Sequence, residues 1–275
     1  MTHDTTIEYD VERARLYKAI ALAFDRPGAA PAMVAHRETI AEQFADAAER
    51  LDEWLGADID PSAHDGQPLA ETAAAVVETM PIDDADARSA YADAFGVEGE
   101  GTVSQYEVTY APGTLVTNTD RIADIAGFYR AFGLDLSEDE RDRADALPTQ
   151  LEFCQHLALS RAVLTESGDD GVEIVTDATA AFLEDHLGRW IPRFVDEVRD
   201  EVDEPYYHAL VDLLEAVVAM DVDHFDVDPD EFDETPTAPL ETLSGLERDE
   251  HGRLEMTCGG APDGGTPGCG TEVFR

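Results

Sequence analysis

Apolar residues in this chain recur at intervals of three and four, the period that gathers side chains on one face of an α-helix, and strand-like alternation is scarce. Between Glu8 and Phe24 the set Val11, Ala14, Tyr17, Ala21 and Phe24 keeps this period until Pro27-Gly28 stops it. The same reading predicts helices over 31–55, 69–80 and 84–95, the last with Tyr91 and Phe95 four apart. Residues 96–117 break the pattern. Gly96, Gly101, Pro112 and Gly113 punctuate an aromatic loop that holds Tyr106 and Tyr110. Thr117 to Asp120 gives a capping-box-like start to a helix running to Phe132, with Gly133 as its stop, and Ser137 and Glu140 repeat the capping-box spacing. Long helices follow over 147–164, over 175–202 with a bend expected at Pro192, and over 205–220.

No repeat at solenoid spacing interrupts this series, so the expected fold is all-α: a single helical-bundle domain of about eight or nine helices over residues 1–225. From 226 to 275 the composition changes. An acidic, proline-interrupted stretch leads into a glycine-rich one, and no packed structure is expected from about 227 onward. Truncation after Asp226 is therefore expected to leave the domain folded.

Charge narrows the function. The chain carries 62 Asp and Glu against 18 Lys and Arg, a net charge of −44, and Lys18 is its only lysine. Nonspecific nucleic-acid binding needs a cationic face, and so does docking on an anionic membrane. Neither partner fits. No apolar run reaches the roughly 18 residues of a membrane span, and the opening residues lack the basic and apolar regions of a secretory signal, so a cytoplasmic location is expected. With 43% hydrophobic residues the chain has material for a core, which makes the acid a solvated skin. Such a skin repels itself in dilute buffer; at about 1 M salt the Debye length falls to roughly 3 Å and the repulsion is screened. The composition points to a salt-rich cytoplasm, as in halophilic archaea.

Catalytic chemistry is hard to find. No phosphate-binding glycine motif is present, and no catalytic residue, cofactor or metal is assigned. Glu152 and His156 lie four apart on one helix, without the second Glu-x-x-His a di-iron bundle needs. The aspartates from Asp221 to Asp230 resemble a calcium loop in composition, but Asp226 stands where glycine is required. Cys154 falls in an apolar stripe and reads as a small core residue. Cys258 and Cys269, with His251 nearby, leave one alternative function: a thiol- or metal-binding accessory protein acting through its tail.

A groove is easier to argue. Aromatics crowd the middle of the chain, and Tyr106 and Tyr110 sit on a loop flanked by glycines, where a core does not require them. Several segments there and at both ends resemble the TorD/DmsD/NarJ family of molybdoenzyme-maturation chaperones, in the form of a haloarchaeal-type member. Arg13-Ala-Arg-Leu16-Tyr17, followed by Phe24 and Pro27, is similar to the family's Arg-x-x-Leu-Tyr start. Tyr106-Glu107-Val-Thr-Tyr110 resembles its Tyr-Glu-Ser-x-Tyr loop, and the stretch from Ile122 through Phe153 resembles its Gly-Phe-Tyr helix and Leu-Glu-Phe signature. His186-Leu-Gly-Arg-Trp190-Ile-Pro192-Arg-Phe194 matches its His-Leu-x-x-Trp-x-Pro-x-Phe helix. Two positions depart: Ala144-Asp145-Ala146 stands where Pro-Asp-His is usual, and Gln150 replaces a frequent glutamate.

The resemblance implies an all-helical chaperone, not an enzyme, whose partner is the catalytic subunit of a molybdopterin-containing reductase and that subunit's twin-arginine leader peptide. It would hold the client for cofactor insertion before export. A leader with two guanidinium groups beside an apolar stretch needs carboxylates next to a hydrophobic groove. Glu107, Asp145 and Glu152 would supply the acid, and Tyr91, Phe95, Tyr106, Tyr110, Leu147 and Phe153 the groove. In this reading Glu107 and Asp145 face the groove and not the core.

The charge balance makes one prediction. Helix content and cooperativity of unfolding fall as potassium chloride drops from molar to tens of millimolar; circular dichroism and melting curves that are unchanged over that range would remove the halophilic reading.

Overall fold

A computed structural model describes residues 3–26, 37–55, 68–96, 103–113, 115–136, 143–232, 246–248 and 254–256. The chain divides into two units, Met1–Pro236 and Thr237–Arg275. Among the described residues of the first, every regular element is a helix. Its elements are α1 (His3–Phe24), α2 (Arg37–Leu55), α3 (Leu69–Thr79), α4 (Asp84–Phe95), the short α5 (Glu107–Tyr110), α6 (Leu115–Ala131), α7 (Leu147–Ser167), α8 (Gly171–Phe182), a π-helical turn (Leu183–Leu187), α9 (Gly188–Glu201) and α10 (Pro205–His224). In the second unit β1 (Leu246–Arg248) and β2 (Leu254–Met256) pair antiparallel, Leu246 opposite Met256, where the sequence reading has no strand.

The expected helices are present with boundaries shifted by a few residues, because end residues fray or extend beyond the apolar stripe. Local chemistry fixes several ends. Asp83 caps α4 by accepting from Ala85 N at 2.8 Å and Asp86 N at 3.0 Å, and those two backbone donors hold its carboxyl below the usual range. Pro68 offers no side-chain cap to α3. Asp52, reaching over from α2, accepts from Leu69 N at 2.8 Å and Ala70 N at 2.7 Å instead. Gly133, at φ 72°, closes α6 as the sequence suggests. Ser137 and Glu140 lie outside the described residues.

α1 packs along α7, with α2 against its side, while α3 and α9 flank α10. The interior is aromatic: Phe24 meets Phe95, Phe194 and Tyr207, with ring centroids 5.7–6.2 Å apart. One polar centre is sealed inside. The Arg13 guanidinium is 1% exposed and binds Asp221 through Nε at 2.7 Å and through Nη2, with Nη1 on Asp10 at 2.8 Å. Arg161 Nε reaches the other Asp10 oxygen at 2.8 Å, and the Tyr17 hydroxyl donates to Asp221 at 2.7 Å. Burial pulls the Arg13 pKa down, but Asp221, with Tyr9 and Asp10 beside it, holds the group well above its ordinary value. Arg13 and Tyr17 are one helical turn apart, so both reach one carboxylate. This accounts for the Arg-x-x-Leu-Tyr spacing. Cys154 is buried, as its apolar stripe implies, and burial pushes its thiol up.

Two features depart from the sequence reading. The region expected as one helix bent at Pro192 instead opens into the π turn just before Gly188, whose carbonyl Pro192 leaves without its usual i+4 donor. Packing also does not stop near 227. Phe232 is 3% exposed, its N–H donates to Arg189 O at 3.0 Å, and its ring lies between the guanidiniums of Arg121 and Arg189 at 4.9 and 4.7 Å. Pro229 presses on Gly188, where an added Cβ would stand 2.6 Å from its Cγ, so this crossing needs glycine. An acidic, proline-containing segment thus keeps one aromatic anchor. Among the described residues no helix is long and apolar enough to cross a membrane.

The corrected boundary is testable. Burying a phenylalanine is worth about 1.5–3 kcal/mol. Urea titration at molar salt is expected to find the chain cut after Asp226 less stable by that amount than the chain cut after Pro236; equal midpoints would mean that Phe232 contributes nothing.

Candidate functional site

The aromatic loop and the start of α7 do come together, through the backbone. Glu107 N donates to Asp145 O at 3.0 Å, Leu147 N donates to Gln105 O at 2.8 Å, and Tyr106 bridges Ala146. The loop folds its last residues into α5, a single turn too short to show periodicity. This junction is a structural cross-link, and most of the acids and rings assigned to a groove are inside it.

Glu107 is fully buried, contrary to the expectation that it faces outward. Its carboxyl group accepts from Gln150 Nε2 at 2.6 Å and Arg121 Nη1 at 3.2 Å, and His186 Nδ1 lies 3.2 Å away. Gln150 also accepts from Trp190 Nε1 at 3.0 Å. Asp145 is likewise buried, gripped by Arg143 through two bonds of 2.8 Å. Burial raises its pKa, and Arg143 pulls the other way. Neither acid points at solvent: Glu107 answers the buried amide of Gln150, and Asp145 is covered while its partner Arg143 reaches it from the surface. Tyr110 is 3% exposed and stacks on Trp190 with centroids 5.4 Å apart, its hydroxyl between Ser104 O and Glu197. Leu147 and Phe95 belong to the core. Tyr91 is half-buried against Phe95 at 5.2 Å, and Tyr106 half-buried under the Arg143 guanidinium at 4.5 Å.

The two remaining candidates, Glu152 and Phe153, reach a surface pocket of about 410 Å³. Tyr129 and Leu134 from the end of α6, Asp135 and Leu136 beyond it, and Thr149, Gln155, His156 and Leu159 from α7 complete the lining. Leu136 and Leu159 are 39% and 40% exposed, so the mouth presents apolar surface to water. The acid at its edge, unlike the buried pair, is exposed: Glu152 meets Lys18 Nζ at 2.6 Å. Partial burial lowers the His156 pKa. The sequence contains a signal for this site that the reading did not use. Glu152, His156, Leu159 and Val163 follow the helical period on the face of α7 opposite its buried stripe, and Leu159 and Val163 are exposed apolar residues. No group of His, Cys, Asp or Glu among the described residues could hold a metal ion. Cys258, Cys269 and His251 lie outside the described residues.

Comparison with known proteins places this geometry. A family model described as "Nitrate reductase delta subunit" matches residues 39–196, from α2 into α9, a stretch that includes the whole pocket. A selenate reductase assembly chaperone protein of Thauera selenatis is 35% identical over 120 residues, 43% of this chain and 61% of that protein. A perchlorate reductase assembly chaperone protein of Dechloromonas aromatica (strain RCB) is 33% identical over 97 residues, 35% of this chain and 43% of the relative. A chlorate reductase assembly chaperone protein of Ideonella dechloratans is 35% identical over 97 residues, 35% of this chain and 48% of the relative. The chain thus spans about two-fifths to three-fifths of the length of these relatives.

The amide at position 150 is a specific requirement of the buried network. It donates to Glu107 and accepts from Trp190, which a carboxylate cannot do. In Gln150→Glu the new carboxyl faces Glu107 at hydrogen-bond distance, so a proton must be retained there and the introduced group's folded pKa rises above its unfolded value near 4.3. Its contribution is then present at low pH and lost as pH rises through the folded pKa. Urea unfolding at molar salt is expected to find Gln150→Glu losing about 1–3 kcal/mol relative to wild type between about pH 5.5 and about pH 8; parallel pH profiles for the two proteins would refute the network's role.

Proposed function

The chain belongs to the nitrate reductase delta subunit family, and on that premise we propose that it is an assembly chaperone for the catalytic subunit of a molybdopterin-containing oxidoreductase. It works by binding and not by catalysis. In this reading it meets the client in the cytoplasm, takes hold of the client's twin-arginine leader, and keeps the subunit available for cofactor insertion before export or assembly. The family match over residues 39–196 carries the proposal, supported by relatives whose names are those of reductase assembly chaperones.

The pocket suits such a leader. Leu134, Leu136, Phe153 and Leu159 offer an apolar seat, while Glu152 and Asp135 set carboxylates at its side. An arginine followed by apolar residues satisfies both halves, the guanidinium making charge-assisted bonds and the apolar stretch covering exposed leucine. Long-range attraction of a basic leader to the −44 chain is screened in the salt-rich cytoplasm proposed here, which leaves short contacts and apolar burial to set affinity. Tyr106, Glu107, Tyr110, Asp145 and Leu147 act from behind, fixing the start of α7 on which the pocket is built.

A labelled twin-arginine leader peptide titrated at molar salt tests the site. Glu152→Gln and Leu159→Ser are each expected to weaken binding by about threefold to tenfold without loss of helix, since both side chains are exposed. Equal affinities in folded proteins would take the leader out of this pocket. Failure of the tagged chain to copurify with a reductase catalytic subunit from its native host would overturn the chaperone reading itself.

A further inference from the structure

Lys18 stands apart from every other cation in the chain: it is the one lysine among 18 basic residues, and its partner is the acid at the pocket's edge. We propose that Lys18 is an internal stand-in for the ligand's guanidinium, occupying Glu152 until an arginine of the bound peptide displaces it. This deepens the peptide-binding reading of the pocket and rests on it.

The geometry supports an exchange. Lys18 Nζ lies 2.6 Å from Glu152 Oε1, with the two side chains 37% and 52% exposed. Exposed pairs of this kind contribute little and are readily broken. The contrast with the rest of α1 is sharp. Arg13 and Tyr17, one turn and one residue back, are locked on Asp221 in the interior, so the backbone that carries Lys18 is fixed and only its flexible side chain has to move. Lys18 is absent from the pocket lining, while Glu152 is part of it beside Phe153 and Leu159. Moving the ammonium aside therefore frees a carboxylate within the site and removes no wall.

Residue type matters too. An ammonium is a compact, strongly hydrated point charge, whereas a guanidinium presents two parallel N–H groups that match a carboxylate. An arginine arriving from a ligand replaces a single contact with a bidentate one, and the released lysine regains water. An arginine at position 18 would hold Glu152 as well as the ligand could. The chain uses arginine at its other cationic positions, and those on Asp10 and Asp221 hold their acids in buried pairs.

The test compares wild type, Lys18→Met, Lys18→Arg and Glu152→Gln. The probe is a synthetic peptide with two adjacent arginines ahead of an apolar stretch, titrated at molar salt. Removing the stand-in is expected to tighten binding by about twofold to fivefold in Lys18→Met, and strengthening it to weaken binding by a similar factor in Lys18→Arg. Lys18→Arg keeps the net charge, so its effect cannot come from general attraction of a basic peptide. A direct readout is available because the lysine is single: with its amine carrying an isotope-labelled dimethyl group, its magnetic resonance signal is expected to shift toward that of a free, solvated lysine as peptide is added. If Glu152→Gln weakens binding but Lys18→Met and Lys18→Arg do not move in opposite directions, or the lysine signal stays fixed, the stand-in is overturned and the pocket reading survives. If Glu152→Gln binds as well as wild type, the pocket reading fails and the stand-in with it.

Discussion

The helical body depends first on the salt bridge of Arg13 with Asp221. These residues lie 208 positions apart, on the first and last long helices, and both are sealed from water. Bringing two charges inside is expensive, and the arrangement survives because every hydrogen-bonding edge is used: Arg13 also binds Asp10, Asp10 also binds Arg161, and Asp221 also accepts from Tyr17. Removing one member of such a set typically costs about 3–5 kcal/mol, since the others are left charged and dry. An apolar contact between α1 and α10 would tolerate sliding by a residue. The planar guanidinium does not, so the clasp fixes the register of α1 against α7 and α10 as well as supplying adhesion.

The Glu107 centre does the same for the middle of the chain. α5, α6, α7, the π turn and α9 each send one polar side chain into it. His224, by contrast, sits at the border of the first centre, where burial and the neighbouring guanidiniums of Arg13 and Arg161 lower its pKa to about 4 and keep it neutral. With α1 set by one centre and the start of α7 by the other, the α7 wall of the pocket is anchored at its base. Pre-organised walls let weak contacts suffice for binding, because little ordering is left to be done when a ligand arrives.

The long helices were legible in the sequence because a buried stripe repeats many times along each one. The local shapes were not. α5 is a single turn, the π turn is a local change of hydrogen bonding that periodicity does not encode, and Phe232 is one aromatic in an acidic stretch whose composition argues for solvent. The site was legible only in part. Glu107, Asp145 and Glu152 are all acids close to family motifs, and nothing in their spelling distinguishes a carboxyl group answering a buried donor from one facing water. What separates them is the partner: Gln150 and Arg121 from other helices for the first, the sequence neighbour Arg143 for the second, an exposed lysine for the third.

That difference in partners orders the chain's charges by function. Where an acid meets an arginine inside the protein, the pair is fixed and the fold depends on it. Most of the remaining described acids are exposed or partly exposed, where their number serves the surface. Glu152 belongs to neither group. It is paired, yet weakly, and it stands beside exposed leucines that water would prefer to see covered. A carboxylate held by a replaceable cation at the edge of an uncovered apolar seat has more to gain from an incoming arginine-bearing segment than any other acid in the described fold. On the function proposed here, a chain this acidic concentrates recognition at one edge of α7.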